Sequence, residues 1–399
     1  MVADRRWAGG HLSGGGRVSS GRSGPSRIAV DLLWLVPGDV GGSEEYAVRT
    51  LLAFARHGPT DLRPVVHLSD VAASAHPELG RSLDLEVCPV ENRRRGRRLL
   101  AESTWLASRT RRLDAVHHVG GRIPVRTGSP VAVTVHDLQP LDHPEHFSPI
   151  KRAYLGRALP RSIRRADVVV TVSDAVARQI GDRFAIPAAR IVVVSSGLPT
   201  RAGAAAPTDP PTVLFPAVTH PHKRHVLLVE AFHLLADRHP TVRLVLTGGA
   251  GRAEADVRRA IDDGPHADRI DRTGRIPAEA LAERLSAASV VAFPSVYEGF
   301  GIPVVEAMAA GVPVLVAGGT PAADLVGLAS VVPAVAGPDP WADRMERVLV
   351  DDEHRRALVD EGHVGAAAHT WEASASALER AWRLLLTAGP VAGRDGSGA

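Results

Sequence analysis

Short apolar runs rich in Val, bounded by Gly, Pro, Asp or Ser, recur along this chain and alternate with longer stretches whose apolar residues return at helical spacing. The first kind reads as strands buried on both faces, the second as amphipathic helices. In the first half, strands are expected in RIAVDLLWLVPG (Arg27 to Gly38), LRPVVHLS (Leu62 to Ser69), DAVHHVG (Asp114 to Gly120), PVAVTVHDL (Pro130 to Leu138), ADVVVTVS (Ala166 to Ser173) and ARIVVVSSG (Ala189 to Gly197). Helices fit between most of them, including SEEYAVRTLLAFARH, RRLLAESTWLASRTRRL and KRAYLGRALPRSIRRA. A segment holding Pro199, Gly203, Pro207, Pro210 and Pro211 then interrupts the alternation, as a linker between domains does. Beyond it, TVLFPAV, VRLVLTGG, VVAFPS, VPVLVAG and SVVPAV are again strand-like, with helices such as HVLLVEAFHLLADRH and AEALAERLSAA between them.

Two successive βα arrays imply an α/β protein of two doubly wound, Rossmann-like domains, with ligands bound in the cleft where the carboxyl ends of the two sheets face each other. The expected boundaries are a first domain over 27–197, a linker over 198–211, a second domain over 212–369 and a final helix over 370–389. Residues 1–26, rich in Gly, Ser and Arg with no apolar signal core, and residues 390–399 are expected to be disordered tails. The length of 399 residues suits two or three domains, and the single cysteine, Cys88, excludes an internal disulfide framework and fits a reducing compartment. No apolar run approaches the roughly 20 residues of a membrane span, so a soluble, cytoplasmic protein is expected.

Net charge is only +3, but the basic residues are unevenly placed. Arg93, Arg94, Arg95, Arg97 and Arg98 form one cluster, Arg109, Arg111 and Arg112 a second, and Lys151, Arg152, Arg157, Arg161, Arg164 and Arg165 a third, all in the first half. Two readings stay open. They are solvated helix faces, or a surface for an anionic partner such as a phospholipid headgroup or a lipid diphosphate. Nucleic acid is not expected, because only Trp105 and Tyr154 offer stacking surface there and no nucleic-acid-reading motif accompanies them.

The densest chemistry lies in EGFGIPVVEAMAAG, Glu298 to Gly311. The strand SVVAFPS precedes it, so the unit is strand, glycine loop, helix. Gly299 and Gly301 permit a tight turn and close approach to a ligand, and Pro303 suits a first helical turn. The amides of Phe300, Gly301 and Ile302 and the positive end of the helix dipole favour a phosphate, while Glu298 and Glu306 supply acceptors for hydroxyl groups. Phosphate donors beside hydroxyl-seeking carboxylates suggest a nucleotide sugar. Three other segments carry similar signals. Gly41 and Gly42 follow the first strand and precede a helix with Ser43 as candidate N-cap and Glu44 and Glu45 in its first turn. His136 ends a strand and is followed by Asp137, which could orient the imidazole or cap the loop. Lys223 follows a proline turn at a helix start, a point charge suited to a diphosphate, with Arg224 adjacent. His220, His222 and His225 invite a metal reading, but no carboxylate or thiol accompanies them and no metal is expected.

GGSEEYAVRTL, TVHDLQPL, PAVTHPHKRHVLLVEAF and the two-glutamate segment, in that order, resemble the retaining GT-B glycosyltransferases of family 4, with the mannosyltransferase-like members nearest. The resemblance covers about Arg27 to Leu386 and implies a first domain on the acceptor side, a second that binds the donor, and a last helix that crosses back onto the first. It implies transfer of a hexose from a nucleotide-diphosphate sugar to a hydroxyl acceptor, with no metal, no cofactor and no protein nucleophile. By carry-over, Gly41 and Gly42 approach the donor diphosphate or the acceptor, and His136 lies near the transferred sugar. Lys223 and Arg224 face the diphosphate, Glu298 holds sugar hydroxyls and Glu306 the ribose, while Asp137 belongs to the acceptor side. Many relatives carry an Arg where this chain has Ala217, which puts the usual Arg and Lys pair in doubt and leaves His222 or Arg224 to compensate. A glycosidase-like carboxylate pair, a nucleotide-sugar epimerase or phosphorylase, and a non-catalytic scaffold are the rival readings. Mannose from GDP-mannose is the expected donor, with UDP-sugars next.

Overall fold

A computed structural model of the chain describes residues 24–39, 41–128, 130–198 and 205–388. The expected tails therefore fall almost wholly outside the described residues, as does the first part of the expected linker. The first domain is built on a seven-stranded parallel sheet, and the second on one of six strands. In the first, β1 (Ser26–Asp31), β2 (Leu62–Ser69), β3 (Asp84–Cys88), β4 (Ala115–His118), β5 (Val131–Val135), β6 (Val168–Thr171) and β7 (Ile191–Val193) take the order β3-β2-β1-β4-β5-β6-β7. In the second, β8 (Thr212–Pro216), β9 (Arg243–Thr247), β10 (Ile270–Gly274), β11 (Val290–Phe293), β12 (Val314–Ala317) and β13 (Val331–Val332) take the order β10-β9-β8-β11-β12-β13. The direction of winding reverses between β1 and β4 and again between β8 and β11, and these switch points open the crevices in which such folds bind ligands.

The central strands are the Val-rich runs, and burial on both faces explains their continuous apolarity: Ile28 to Val30, Val131 to Val133, Val168 to Val170 and Val290 to Ala292 are all buried. The two strands that the apolar pattern does not predict, β3 and β10, are both sheet edges. Their sequences DLEVC and IDRTG are only partly covered, so they need no apolar run.

The chain crosses between domains twice at one place. Leu198 donates its N–H to His369 O at 2.9 Å and bridges to Thr370. Thr370 then caps the final helix, Trp371–Thr387, by accepting from Ala373 N at 3.1 Å. That helix packs along Gly42–His57 of the first domain, as the resemblance implies. Trp382 is fully buried there, 4.5 Å from the Phe54 ring, and its indole N–H donates to His117 Nδ1 at 3.1 Å. With Nδ1 an acceptor, the proton of His117 sits on Nε2 and is donated to Thr134 Oγ1 at 2.8 Å. Burial holds this imidazole neutral, its pKa pressed down to about 3. Gly197 is required at the crossing, since a Cβ there would lie 2.6 Å from Trp371 N.

Candidate functional site

Four loops at the carboxyl ends of β1, β5, β8 and β11 converge on a cavity of about 850 Å³ between the domains. Its walls include Gly41, Gly42, His136, Asp137, Lys223, Glu298, Gly299, Phe300, Gly301 and Ile302. Glu306 and Arg224 are not among them.

After β1 the backbone turns through positive φ at Gly38 (81°) and Gly41 (59°) into the helix Gly42–His57. The N-cap falls two residues earlier than expected, at Gly41 rather than Ser43, with no side-chain cap. Glu44 instead folds back, its carboxylate accepting from Gly38 N at 2.8 Å and meeting His76 Nε2 at 2.9 Å. This ties the loop to its own helix.

At the end of β5, His136 Nε2 lies 2.9 Å from Val119 O. A carbonyl can only accept, so Nε2 carries the proton and Nδ1 is the free acceptor of a neutral ring. Burial lowers its pKa to about 4. Tyr46 packs edge-on at 5.2 Å and Trp34 lies at 6.1 Å, fixing the ring. Asp137 takes the second of its two expected roles: Oδ1 accepts from Gln139 N at 2.9 Å and caps the loop, while Val119 orients the imidazole. Burial, with Glu298 close by, raises the Asp137 pKa.

After β8, Lys223 closes a single 3-10 turn, Pro221–Lys223, and Arg224 adopts left-handed φ 55° before the helix His225–Arg238 begins. Lys223 thus precedes the helix rather than opening it, and its ammonium pairs with Glu298. The expectation for Arg224 is not met. The reversed backbone sends its guanidinium to Ala334 O (2.6 Å) and Ala336 O (3.2 Å), away from the cleft. His222 does not replace the missing Arg at position 217 either, because burial and Lys223 lower its pKa to about 3 and its Nδ1 meets Gln139 Nε2 at 3.1 Å. The second cation among the described cavity walls is Arg275, which donates to Gly38 O at 3.1 Å across the cleft.

After β11, Tyr297 to Gly301 form the glycine loop. Gly301 has φ 108° and starts the helix Ile302–Ala309. No protein acceptor meets the amides of Phe300, Gly301 and Ile302 among the described residues. A Cβ at Gly299 would lie 2.3 Å from His136 O, so glycine is what lets this loop touch the opposite domain. Ser173 Oγ donates to Gly299 O at 2.7 Å, and the Tyr297 hydroxyl accepts from Leu138 N (3.0 Å) while donating to Asp142 (3.0 Å). Ser173, Tyr297 and Arg275 escape sequence reasoning because each works through a partner in the other domain. Glu306 lies one turn into the helix and faces Glu45 and Arg49 of the first domain. Burial, then the Glu45 charge, raises its pKa to about 7.

Of the three histidines considered for metal binding, His225 turns to Ala217 O at 3.2 Å, while His220 and His222 stack with ring centroids 5.7 Å apart and His222 Nδ1 meets Gln139. The described group with ligand atoms close enough for an ion is His143, Glu145 and His146, within 4.8 Å of one another and outside the cavity walls.

Two doubly wound parallel sheets with a cavity between them at their carboxyl ends are the GT-B arrangement. Residues 40–202 match Glycosyltransferase Family 4 and residues 199–363 match Glycosyl transferases group 1. The chain belongs to this glycosyltransferase family and is therefore an enzyme that transfers sugar. It is 28% identical to the O-antigen chain mannosyltransferase B of Escherichia coli over 63% of this chain and 70% of that protein. It is 27% identical to the D-inositol 3-phosphate glycosyltransferase of Segniliparus rotundus over 93% and 92%. Among solved structures, Anabaena Alr3699/HepE in complex with UDP-glucose superposes with a TM-score of 0.70 at 17% identity, over 90% of this chain and 99% of that one.

Proposed function

We propose that this glycosyltransferase moves a hexose, mannose from GDP-mannose, to a hydroxyl acceptor with retention of anomeric configuration and without a metal. The observation that carries the reading is one cavity in which Lys223 and three unpartnered helix-start amides stand opposite the acceptor nitrogen of His136. The cation and amides suit a diphosphate, and His136 Nδ1 suits a hydroxyl of the sugar between them. Among the described cavity walls no hydroxyl is hydrogen-bonded to a histidine or carboxylate that could serve as its base: Tyr46 donates to Val194 O at 2.8 Å and Ser196 to Gly197 O at 3.4 Å. Catalysis then consists of orientation and of charge stabilisation on the departing diphosphate, whose oxygen takes the acceptor proton. The Lys223–Glu298 pair describes the state before donor binds. An entering diphosphate draws the ammonium to itself and frees Glu298 to accept from sugar hydroxyls. Mannose is favoured by the mannosyltransferase relative. No helix among the described residues is long and apolar enough to cross a membrane, and a cytoplasmic enzyme whose basic first domain meets the membrane face is the matching setting. A thermal-shift panel of GDP- and UDP-sugars, followed by NMR of the product's anomeric proton, tests this. Stabilisation by no nucleotide sugar defeats donor binding, and an inverted product defeats retention.

A further inference from the structure

Between Asp142 and Phe147, in the stretch that follows His136, the chain makes a single 3-10 turn over Pro144–His146. Pro144 pre-sets the first position of the turn, and His146 N and Phe147 N close on His143 O (3.0 Å) and Pro144 O (3.1 Å). The turn folds the sequence HPEH onto itself. His143 and His146 stack with ring centroids 5.1 Å apart, and Glu145 sets one carboxylate oxygen, Oε1, 3.1 Å from His143 Nδ1 and 3.8 Å from His146 Nε2. Two ligand atoms held by one tetrahedral Zn²⁺ through bonds of about 2.1 Å lie about 3.4 Å apart. The two measured separations fall on either side of that value.

Two further observations separate this group from a chance meeting of surface side chains. Among the described residues neither ring nitrogen of His146 has a hydrogen-bond partner: Nδ1 is buried without one, and Nε2 stops 3.8 Å short of Glu145. Glu145 in turn meets no guanidinium or ammonium among the described residues, and its ion-pair partners are the two imidazoles. Arg183 is taken by Asp142, and Lys223 by Glu298. The group is also held from the second domain, since the Tyr297 ring meets His143 edge-on at 5.0 Å and the His222 ring lies 5.6 Å from His146. Tyr297 and His222 stand one residue before Glu298 and Lys223.

We propose that His143, Glu145 and His146 form a binding site for a first-row transition-metal ion of the Zn²⁺ type, which pins this loop of the first domain against Tyr297 and His222 of the second. Two imidazoles and one carboxylate select Zn²⁺, Co²⁺, Ni²⁺ or Cu²⁺ over Mg²⁺ and Ca²⁺, which take oxygen ligands. Three protein ligands leave one tetrahedral position for water. On binding, the ion displaces any proton on the ligating nitrogen of each ring. The site lies outside the cavity walls, so the ion takes no part in the transfer step. It orders the two rings on which the second-domain loops rest, whichever donor and acceptor the cavity holds.

The test uses the full chain, stripped with a chelator and titrated by calorimetry with ZnCl₂, with CoCl₂ as a spectroscopic probe and MgCl₂ as control. One Zn²⁺ site per chain that Mg²⁺ does not fill is expected, together with the visible absorption of four-coordinate Co²⁺. Glu145→Gln, at an exposed position, should weaken Zn²⁺ by roughly tenfold or more, the lower scale even for losing an outer partner of a metal ligand. His143→Ala combined with His146→Ala should abolish the site, while His239→Ala, which removes a histidine paired with Glu346 in the second domain, should leave it intact. Zn²⁺ should also raise the melting temperature and slow amide exchange at Tyr297 and Glu298, and do neither in the double-alanine variant. Zn²⁺ binding no tighter than Mg²⁺, affinity unchanged by Glu145→Gln and by the double-alanine variant, or an equal loss with His239→Ala overturns the site. Exchange at Tyr297 and Glu298 that saturating Zn²⁺ does not alter overturns its action between the domains. Failure of the same chain to bind any nucleotide sugar would instead strike at the donor reading and leave this result standing.

Discussion

Replacing Lys223 with Ala removes two contacts at once, and the two have separable consequences. In the free chain Lys223 neutralises Glu298, and the paired side chains are only 16% and 12% exposed. Removing the ammonium leaves that carboxylate largely buried and unpaired. The few kcal/mol typical of a broken buried pair, reduced for partial exposure, gives a cost of about 1–3 kcal/mol in stability. On the proposed donor site the lysine faces the diphosphate, and losing a hydrogen bond to a charged group would cost about 1.5–3 kcal/mol, or roughly tenfold to a hundredfold in nucleotide affinity. The rate falls further, by about two to three orders of magnitude, because negative charge grows on the diphosphate in the transition state. Chemical denaturation, calorimetry with GDP and UDP, and initial transfer rates measure the three effects separately. Lys223→Met combined with Glu298→Gln removes the pair without leaving a buried charge, so it should recover stability but not nucleotide affinity or rate. Recovery of nucleotide affinity in the double variant would show that Lys223 serves only as counter-ion to Glu298 and refute the diphosphate assignment.

Three further outcomes follow from the geometry. Glu306, with its folded pKa raised to about 7, binds its proton in the fold where the unfolded chain, near 4.5, has lost it. Stability should therefore fall as pH rises from about 4.5 to 7 and level off above, by up to roughly 3 kcal/mol, and Glu306→Gln should flatten that slope in thermal melts across pH. If Glu306 accepts from ribose hydroxyls, nucleotide binding at pH 7 should also release a proton, seen as a buffer-dependent calorimetric enthalpy; no buffer dependence counts against the ribose role. Gly299→Ala puts a Cβ against His136 O and should wedge the cleft open, with a larger radius of gyration in solution scattering and at least a tenfold loss of transfer; an unchanged radius contradicts the contact. Trp382→Ala should cost about 3–5 kcal/mol by denaturation, the range for deleting a buried Trp, and a loss below 1 kcal/mol would mean the last helix contributes little to the first domain.

The two sheets and the glycine loop were legible because parallel strands buried on both faces must be apolar throughout, and because Gly299, Gly301 and Pro303 announce a turn into a helix. Edge strands β3 and β10 carry no such demand and left no apolar trace. At the site, the residues that line the cavity through their own loops could be named in advance. The long-range contacts those residues make could not. Lys223 and Glu298 pair across 75 positions of sequence, His136 takes its orientation from Val119 rather than from its neighbour, and Arg224 is turned away by a left-handed backbone that its sequence neighbourhood does not signal. Glu306 was named as an acceptor for hydroxyl groups, but its elevated pKa comes from burial and then from Glu45, which the other domain delivers.

The last helix, held against the first domain through Trp382, Ser374 and Arg383, bears on how the protein is made. The first half of the chain leaves the ribosome with a Trp382-shaped gap beside Phe54 and with His117 Nδ1 lacking its donor. It must wait, through synthesis of the entire second domain, for the residues that fill both. Completion of the first domain is thus coupled to completion of the second. A chain truncated before Thr370 forfeits the packing of its earliest-made part along with its latest, so the cleft is assembled only on chains that have both walls.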